Sequence, residues 1–323
     1  MRAIVLTRYG SPDVLQLEEV PKPEPGDDEV LVKVRATAVN DWDWCLVRGR
    51  PYICRLMFGL VRPRVAVLGA EVAGTVEATG NGATKFQPGD QVYGDISGAG
   101  FGGFADYACV REEALGRKPT GMTFEQAAAL PHAAMLALQG LVDIGQIRKG
   151  ERVLINGAGG GVGTIGVQIA KQHGAEVTGV DSALKLDTLK SVGFDHVIDY
   201  RREDFTRNGQ CYDLILDTKT NRSPFRYLRS LNPGGRYVTV GGHLRRLLQA
   251  FCMGPLISKV SGKHVRIVVL EPNKDLGYVN DLFETNELEC VIDGPYQLSD
   301  VPQAVQRFGE AKHVGKVVIT VAP

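Results

Sequence analysis

The chain has no surplus of either charge: 37 Lys and Arg stand against 37 Asp and Glu in 323 residues. A balanced chain has no long-range field to gather nucleic acid or an acidic surface, so any charge preference must be local. Cysteine is sparse and scattered, at Cys45, Cys54, Cys109, Cys211, Cys252 and Cys290, and no two are separated by only two residues. That spacing argues against a zinc ribbon or a redox dithiol, and for reduced thiols in a cytoplasmic compartment. Long hydrophobic runs are missing as well. None approaches the roughly 18 residues needed to cross a bilayer, so no integral membrane association is expected. The opening MRAIVLTRYG lacks the apolar core of a signal peptide and reads as a first strand. Internal repeats and low-complexity segments are absent. What remains, at 44% hydrophobic and 23% charged, is an ordinary globular composition. The length suggests about two domains.

Up to about Thr120 the pattern is short apolar runs cut by Gly, Pro and Asp, as in EVLVKVRATAV, VAGTVEATG and FADYACV. Such runs predict the strands of a barrel-like β domain. Pro21, Pro23 and Pro25 mark a loop, since proline cannot donate to a sheet ladder. From Thr123 the texture turns helical in TFEQAAALPHAAMLALQGLVDIG. Strands and helices then alternate: ERVLING, VGTIGVQIAKQHG, AEVTGVD, ALKLDTLKSVG, DHVIDY, YDLILDT, SPFRYLRSLNPG as a helix, and GGRYVTVGG. This alternation predicts βαβ units around a parallel sheet. The tail from about Asn286 reads strand, helix, strand, and is expected to return to the first domain.

The densest signal is NGAGGGVG, with five glycines between Gly157 and Gly163, after a strand and before a helix. Bare backbone at a helix N-terminus lets a phosphate approach N–H groups at the positive end of the helix dipole. Gly160 and Gly163 have the spacing of the close-approach and packing glycines of a dinucleotide loop, and Ala158 stands at the usual first glycine. Asp181 follows Gly163 by 18 residues at the end of the next strand, which is the context that makes the motif specific.

VLINGAGGGVGTIGVQIAKQHGAEVTGV, GAEVAGTVEATGNGATKFQPGDQVYG and GKVVITV together resemble the medium-chain dehydrogenase/reductase superfamily, in its zinc-free quinone oxidoreductase (zeta-crystallin-like) branch. The resemblance covers essentially the whole chain. It implies an α/β fold, with a GroES-like catalytic domain over 1–122 and 286–323 and a Rossmann dinucleotide-binding domain over 123–285. It also implies a homodimer joined through Rossmann edge strands, with VRIVVL (265–270) as the edge, or else an interior strand.

Zinc requires three or four ligands held together. Where zinc-dependent relatives carry ligands this chain matches Asn40, Ala70 and His132, so neither a catalytic zinc nor a four-cysteine lobe is expected. Without a Lewis acid, alcohol oxidation loses the group that stabilises the alkoxide. Hydride delivery to a quinone or an α,β-unsaturated carbonyl needs only donors for the developing oxyanion. The resemblance therefore implies an NAD(P)H-dependent quinone or enone reductase. An alcohol dehydrogenase-like enzyme and a low-turnover nucleotide-binding scaffold are the alternatives.

It implies catalytic roles for Asn40, facing the nicotinamide or acceptor, for Asp43 as a supporting carboxylate, and for Tyr52 as a donor at the pocket mouth. Asn40 also reads as a turn residue, and Tyr52 equally as a surface tyrosine. Cys45, Met135 and Leu136 depart from the family pattern and point to a greasier pocket. Trp42 and Trp44 read first as core. Cofactor contacts are implied at Ala158, Gly159, Gly160, Gly161, Val162, Gly163, Asp181, Lys185, Tyr200 and Gly241. Asp181 is the residue type that binds the ribose hydroxyls of NAD, whereas Lys185 and Tyr200 match positions that hold the 2′-phosphate of NADPH. The balance favours NADPH, with NADH as the alternative. The segment 243–260, with Arg245 and Arg246, reads as a packed surface helix, with a mobile lid or contact with a membrane surface as weaker options.

Overall fold

The computed structural model describes residues 1–321, which divide into two compact units. The first holds residues 1–132, 272–286 and 290–321, and the second 133–271 and 287–289.

In the first unit β1 (Arg2–Leu6) pairs antiparallel with β2 (Leu15–Glu19). The main sheet is built on the long strand β3 (Glu29–Ala38). Against it lie β4 (Glu71–Thr79) and β6 (Tyr107–Arg111), while β5 (Gln91–Asp95) joins β4 to the short β7 (Gly116–Arg117). Every pairing among these strands is antiparallel, and alternate residues of β3 enter the core as Val30, Val32 and Val34. Two short helices, α1 (Asp41–Arg48) and α2 (Ile53–Phe58), follow β3. Trp42 meets Phe58 and Phe101 edge-on, and both tryptophans pack on the apolar core.

Helix α3 (Phe124–Ala129) begins at a Thr123 capping box and packs on β3 and β4. This is why residues 123–132 belong to the first unit rather than to the domain the sequence pattern assigned them. The unit boundary falls within α4 (Pro131–Leu138), after His132.

The second unit is a parallel sheet of β8 (Arg152–Asn156), β9 (Glu176–Asp181), β10 (His196–Asp199), β11 (Tyr212–Asp217), β12 (Leu231–Thr239) and β13 (His264–Ile267). Its spatial order is β10-β9-β8-β11-β12-β13, so β13 is an edge. Helix α5 (Gly161–Gln172) connects β8 to β9, and α6 (Leu186–Val192) connects β9 to β10. The helix expected over SPFRYLRSLNPG is shorter: α7 (Pro224–Leu228) stops before Arg229, and β12 already begins at Leu231. Leu231 pairs with Tyr212, and the next pair, Arg236 with Leu214, leaves Asn232 to Gly235 bulged out of register. Pro233 has no N–H to give the ladder, so it sits where none is required. Helix α8 (Leu244–Ser261) packs on β13. Strand β13 covers only the start of VRIVVL.

The end of the chain then rejoins the first unit. Helix α9 (Leu276–Glu284) also lies there, so residues 272–285 depart from the expected division. Strand β14 (Ile292–Gln297) runs parallel to β15 (Lys316–Thr320), and β15 pairs antiparallel with β3, Val318 opposite Ala38. Between them α10 (Val301–Gly309) lays Val301, Ala304 and Val305 into the core and packs on α1.

At that contact Gly309 faces the Trp44 ring, and a methyl there would lie 2.3 Å from the ring carbons. Gly309→Ala is expected to destabilise the protein by about 1–3 kcal/mol through overpacking. Urea unfolding of the variant reads this directly, and an unchanged midpoint would show that the indole can swing away freely.

Candidate active site

Two clusters hold the residues singled out above, one in each unit. In the first unit, buried ionisable groups gather where α1, β4, β5, α4 and β15 begin or end. Asn40 precedes α1. Its backbone N–H donates to Asp43 Oδ2 at 2.8 Å, and Asp43 Oδ1 accepts from the Gly69 N–H at 2.9 Å. Asp43 is fully buried, and desolvation pushes its pKa up to about 7 against the pull of those two N–H groups and of Lys316. The Asn40 amide is engaged at both ends: Nδ2 donates to Glu71 Oε2 at 2.8 Å, and Oδ1 accepts from the Lys316 ammonium. Lys316 Nζ also lies 2.5 Å from Glu71 Oε2, and Glu71 Oε1 accepts the His132 backbone N–H at 2.8 Å. Glu71 is fully buried and Lys316 is 6% exposed, so each is the other's counter-charge.

His132, at the start of α4, bonds through Nδ1 to Asp95 Oδ2 at 2.6 Å. Asp95 is anchored at the end of β5, where its Oδ1 takes the Ser97 N–H and its own N–H reaches Asn273. Burial is the strongest single influence and works to raise the Asp95 pKa, but the His132 bond and charge together with the Ser97 hydrogen bonds hold the carboxylate below its ordinary value. Burial likewise works most strongly to lower His132, and the Asp95 bond and charge, with Glu71, together outweigh it, so the imidazolium is favoured.

The donor set of this cluster does not fit a zinc ion. Ala70 offers only a methyl, Asn40 Oδ1 is capped by an ammonium, His132 Nδ1 is bonded to Asp95, and both Glu71 oxygens are engaged. Among the described residues no three His, Cys, Asp or Glu side chains are grouped to hold a metal.

Tyr52 stands apart from this cluster. It is 65% exposed at the N-terminus of α2, with the Arg50 and Arg55 guanidinium groups over its ring. Cys45 is pushed up to about 12 by burial, so its thiol stays protonated. Met135 and Leu136 are buried in the second unit.

In the second unit the glycine loop joins β8 to α5. Gly157 has φ +84°, which favours glycine. A methyl on Gly163 would lie 2.3–2.6 Å from the backbone of Ala158, and one on Gly159 would lie 2.4 Å from Lys185 Cδ. Gly160 is the N-cap of α5, and as first-turn residues Gly161, Val162 and Gly163 have N–H groups without a helical acceptor. Free first-turn N–H groups beside positions crowded at Gly159 and Gly163 are the arrangement that can take an anion.

Asp181, at the end of β9, accepts the Gly159 N–H at 2.9 Å and the Ser182 N–H at 2.8 Å, and Lys185 Nζ lies 3.6 Å from its Oδ1. Lys185 and Asp181 are both buried, so the carboxylate meets the loop already partnered by a cation. The Tyr200 N–H reaches the Asp181 carbonyl at 3.1 Å, and its half-exposed ring lies under the Arg201 guanidinium. Gly241 follows β12, and its carbonyl accepts from the Thr220 and Thr239 hydroxyls.

Sequence reasoning passed over Glu71, Asp95, Lys316, Asp217 and Lys219. Asp217 is fully buried and accepts from Asn156 Nδ2, the Lys219 and Thr220 N–H groups and the Tyr237 hydroxyl, tying together the ends of β8, β11 and β12. The Lys219 side chain reaches Gly157. The available signal was a charged residue closing or opening an apolar strand, as in DLILDTK and GKVVIT.

A zinc-binding dehydrogenase family model matches residues 192–319, and an alcohol dehydrogenase GroES-like domain model matches residues 26–120. The chain is 32% identical to a 2-methylene-furan-3-one reductase of Solanum lycopersicum, over 100% of this chain and 80% of that protein. It is 30% identical to a chloroplastic quinone-oxidoreductase homolog of Spinacia oleracea, over 99% of this chain and 98% of that one. A solved quinone oxidoreductase from Coxiella burnetii has a TM-score of 0.86 at 27% identity, covering 100% of this chain and 99% of its own.

Removing one member of the buried pair leaves the other uncompensated. Lys316→Met is expected to cost about 3–5 kcal/mol, and adding Glu71→Gln should recover a large part of that. Urea unfolding of the single and double variants measures both, and a single-variant loss under about 1 kcal/mol would show that Glu71 finds solvent or a proton instead.

A pH dependence follows for His132, whose charged neighbours are Asp95, Lys316 and Glu71. Its folded pKa is raised above 6.5, so its contribution is complete below that pH and is lost as pH rises through the raised value. The stability difference between wild type and His132→Gln should therefore shrink on the alkaline side. A pH-independent difference would mean that the imidazole is neutral throughout.

Proposed function

The chain belongs to the medium-chain dehydrogenase/reductase superfamily, among its quinone oxidoreductases and enone reductases, and on that premise we propose that it is an NAD(P)H-dependent, zinc-independent reductase of quinones or α,β-unsaturated carbonyls. The observation that carries this reading is the glycine loop, where Gly159 and Gly163 exclude side chains and the first turn of α5 offers donors to a diphosphate. Ala158, Gly159, Gly160, Gly161, Val162 and Gly163 would hold the diphosphate, with Gly241 alongside. A bound reduced nicotinamide supplies the hydride.

On this reading Asn40 and Asp43 act by positioning, because the Asn40 amide is engaged at both ends and Asp43 caps α1. Lys316 stands as the buried cation among these groups, which supports chemistry without zinc. The exposed Tyr52 hydroxyl is the proposed donor to the acceptor oxygen, where charge develops as hydride arrives at carbon. The proposed assembly is a homodimer through the open edge of β13. The proposed setting is cytoplasmic; among the described residues no helix is long and apolar enough to cross a membrane.

NADPH is the proposed coenzyme. Asp181 would ordinarily repel a 2′-phosphate, but here Lys185 offsets its charge, and the Tyr200 backbone is tied to that of Asp181.

Purified protein mixed with NADPH should consume the cofactor, followed by its absorbance, with a naphthoquinone or a 2-alkenal and leave a simple ketone untouched. Tight cofactor binding without turnover on any acceptor would favour a scaffold instead. Lys185→Ala should weaken NADPH binding about tenfold or more while sparing NADH. Equal losses for both coenzymes would refute that role for the lysine.

A further inference from the structure

Between Trp44 and Ala70 the sequence carries five arginines, Arg48, Arg50, Arg55, Arg62 and Arg64, and no Asp, Glu or Lys. In a chain of zero net charge this is a strongly basic stretch. Arg50, Arg62 and Arg64 are exposed, and among the described residues none of the five forms an ion pair with a carboxylate. Arg48, Arg50 and Arg55 instead lie over the rings of Trp44, Tyr52 and Tyr9.

The same stretch is apolar on its outer side. Helix α2 turns Cys54 and Phe58 inward, one turn apart, and Phe58 meets Trp42 and Phe101. Its opposite stripe, Ile53, Leu56 and Met57, continues into Leu60 and Val61, and these are 47%, 68%, 59%, 65% and 83% exposed. Spacings of three and four residues put Ile53, Leu56 and Met57 on one face, and Leu60 and Val61 follow directly after the helix end at Gly59. Arginines stand at both ends of it. Arg50 lies by Tyr52 at the start, and the chain folds back after Gly59 so that Arg62 and Arg64 lie against the end of the helix.

We propose that this face, the outer stripe of α2 with its flanking arginines, docks the protein on an anionic lipid bilayer. An interfacial helix buries an apolar stripe at the headgroup boundary while basic side chains meet lipid phosphates; here the stripe is exposed and the flanking arginines have no carboxylate partner among the described residues. Self-association fits less well. A two-fold contact would set the same unpaired arginines against their own copies. The consequence for turnover rests on the proposed function: apolar quinones and enones partition into bilayers, so a docked reductase would meet them there.

The test is co-sedimentation of the full chain with phosphatidylcholine vesicles containing roughly 30% phosphatidylglycerol, against pure phosphatidylcholine, at about 0.1 M and about 0.5 M salt. Binding is expected on the anionic vesicles at low salt, weakened at high salt and absent on neutral vesicles. The Arg50→Gln/Arg62→Gln/Arg64→Gln variant should lose at least about tenfold in partitioning, and Leu56→Ser/Met57→Ser should lose comparably. All these positions are on the surface, and unchanged thermal unfolding of each variant confirms that its fold is intact. Three outcomes would overturn the proposal: no binding to anionic vesicles, equal binding by folded variants, or a dimer in solution that the same variants dissociate. Solution-phase reduction of a water-soluble quinone is a separate readout. Its failure would strike the reductase reading and leave the surface standing.

Discussion

A lysine ammonium buried in an apolar core requires an anion, and for Lys316 that anion is Glu71. Neither charge tolerates burial alone, because desolvating an unpaired ion costs several kcal/mol. The pair therefore fixes the register of β15 beside β3, since Lys316 opens the strand whose later residues pair with Thr37 and Ala38. Asn40 and the His132 backbone occupy the remaining Glu71 positions, which ties the start of α1 and the start of α4 to the same carboxylate. Asp43 and Asp95 extend the arrangement, one capping α1 and one orienting His132. Such networks are favourable only when every member is satisfied, and here each named side chain has its partner.

The second unit solves a related problem with backbone. Its parallel strands end in a line, and a buried carboxylate, Asp217, gathers the loop donors there through four hydrogen bonds. This holds Asn156, and so the entry to the glycine loop, in one place. Asp181 does the same on the far side by accepting the Gly159 N–H. The cradle is thus shaped by two carboxylates that do not themselves form it, and Lys185 keeps the charge of one of them in check. That ion pair and the Gly159 hydrogen bond share one carboxylate, so the loop geometry depends on both.

The outer face of α2 follows the opposite logic. Its apolar side chains are exposed and its arginines have no carboxylate partner among the described residues, although Cys54 and Phe58 show that the same helix can bury what it needs to. Satisfied charge inside and unsatisfied charge outside mark two different kinds of constraint, one internal to folding and one directed at a surface.

Local pattern sufficed for much of this. The alternation of apolar strands and amphipathic helices announced the parallel sheet, and NGAGGGVG announced the loop, because a turn that forbids side chains must be written in glycine. The resemblance matched Asn40, Ala70 and His132 to ligand positions of zinc-dependent relatives, and only the structure shows Asn40 and His132 engaged by Lys316 and Asp95. Pattern misjudged the SPFRYLRSLNPG helix, where strand pairing of Leu231 with Tyr212 overrode local propensity. It also misplaced residues 123–132 and 272–285, which pack with the first unit. The partners of Asn40 were invisible, because Glu71 and Lys316 lie far off along the chain and a buried ion pair leaves no periodicity. The Asp217 knot and the unpaired basic face of α2 were hidden for the same reason: whether a charge has a partner depends on distance in space, and only the folded chain sets that distance.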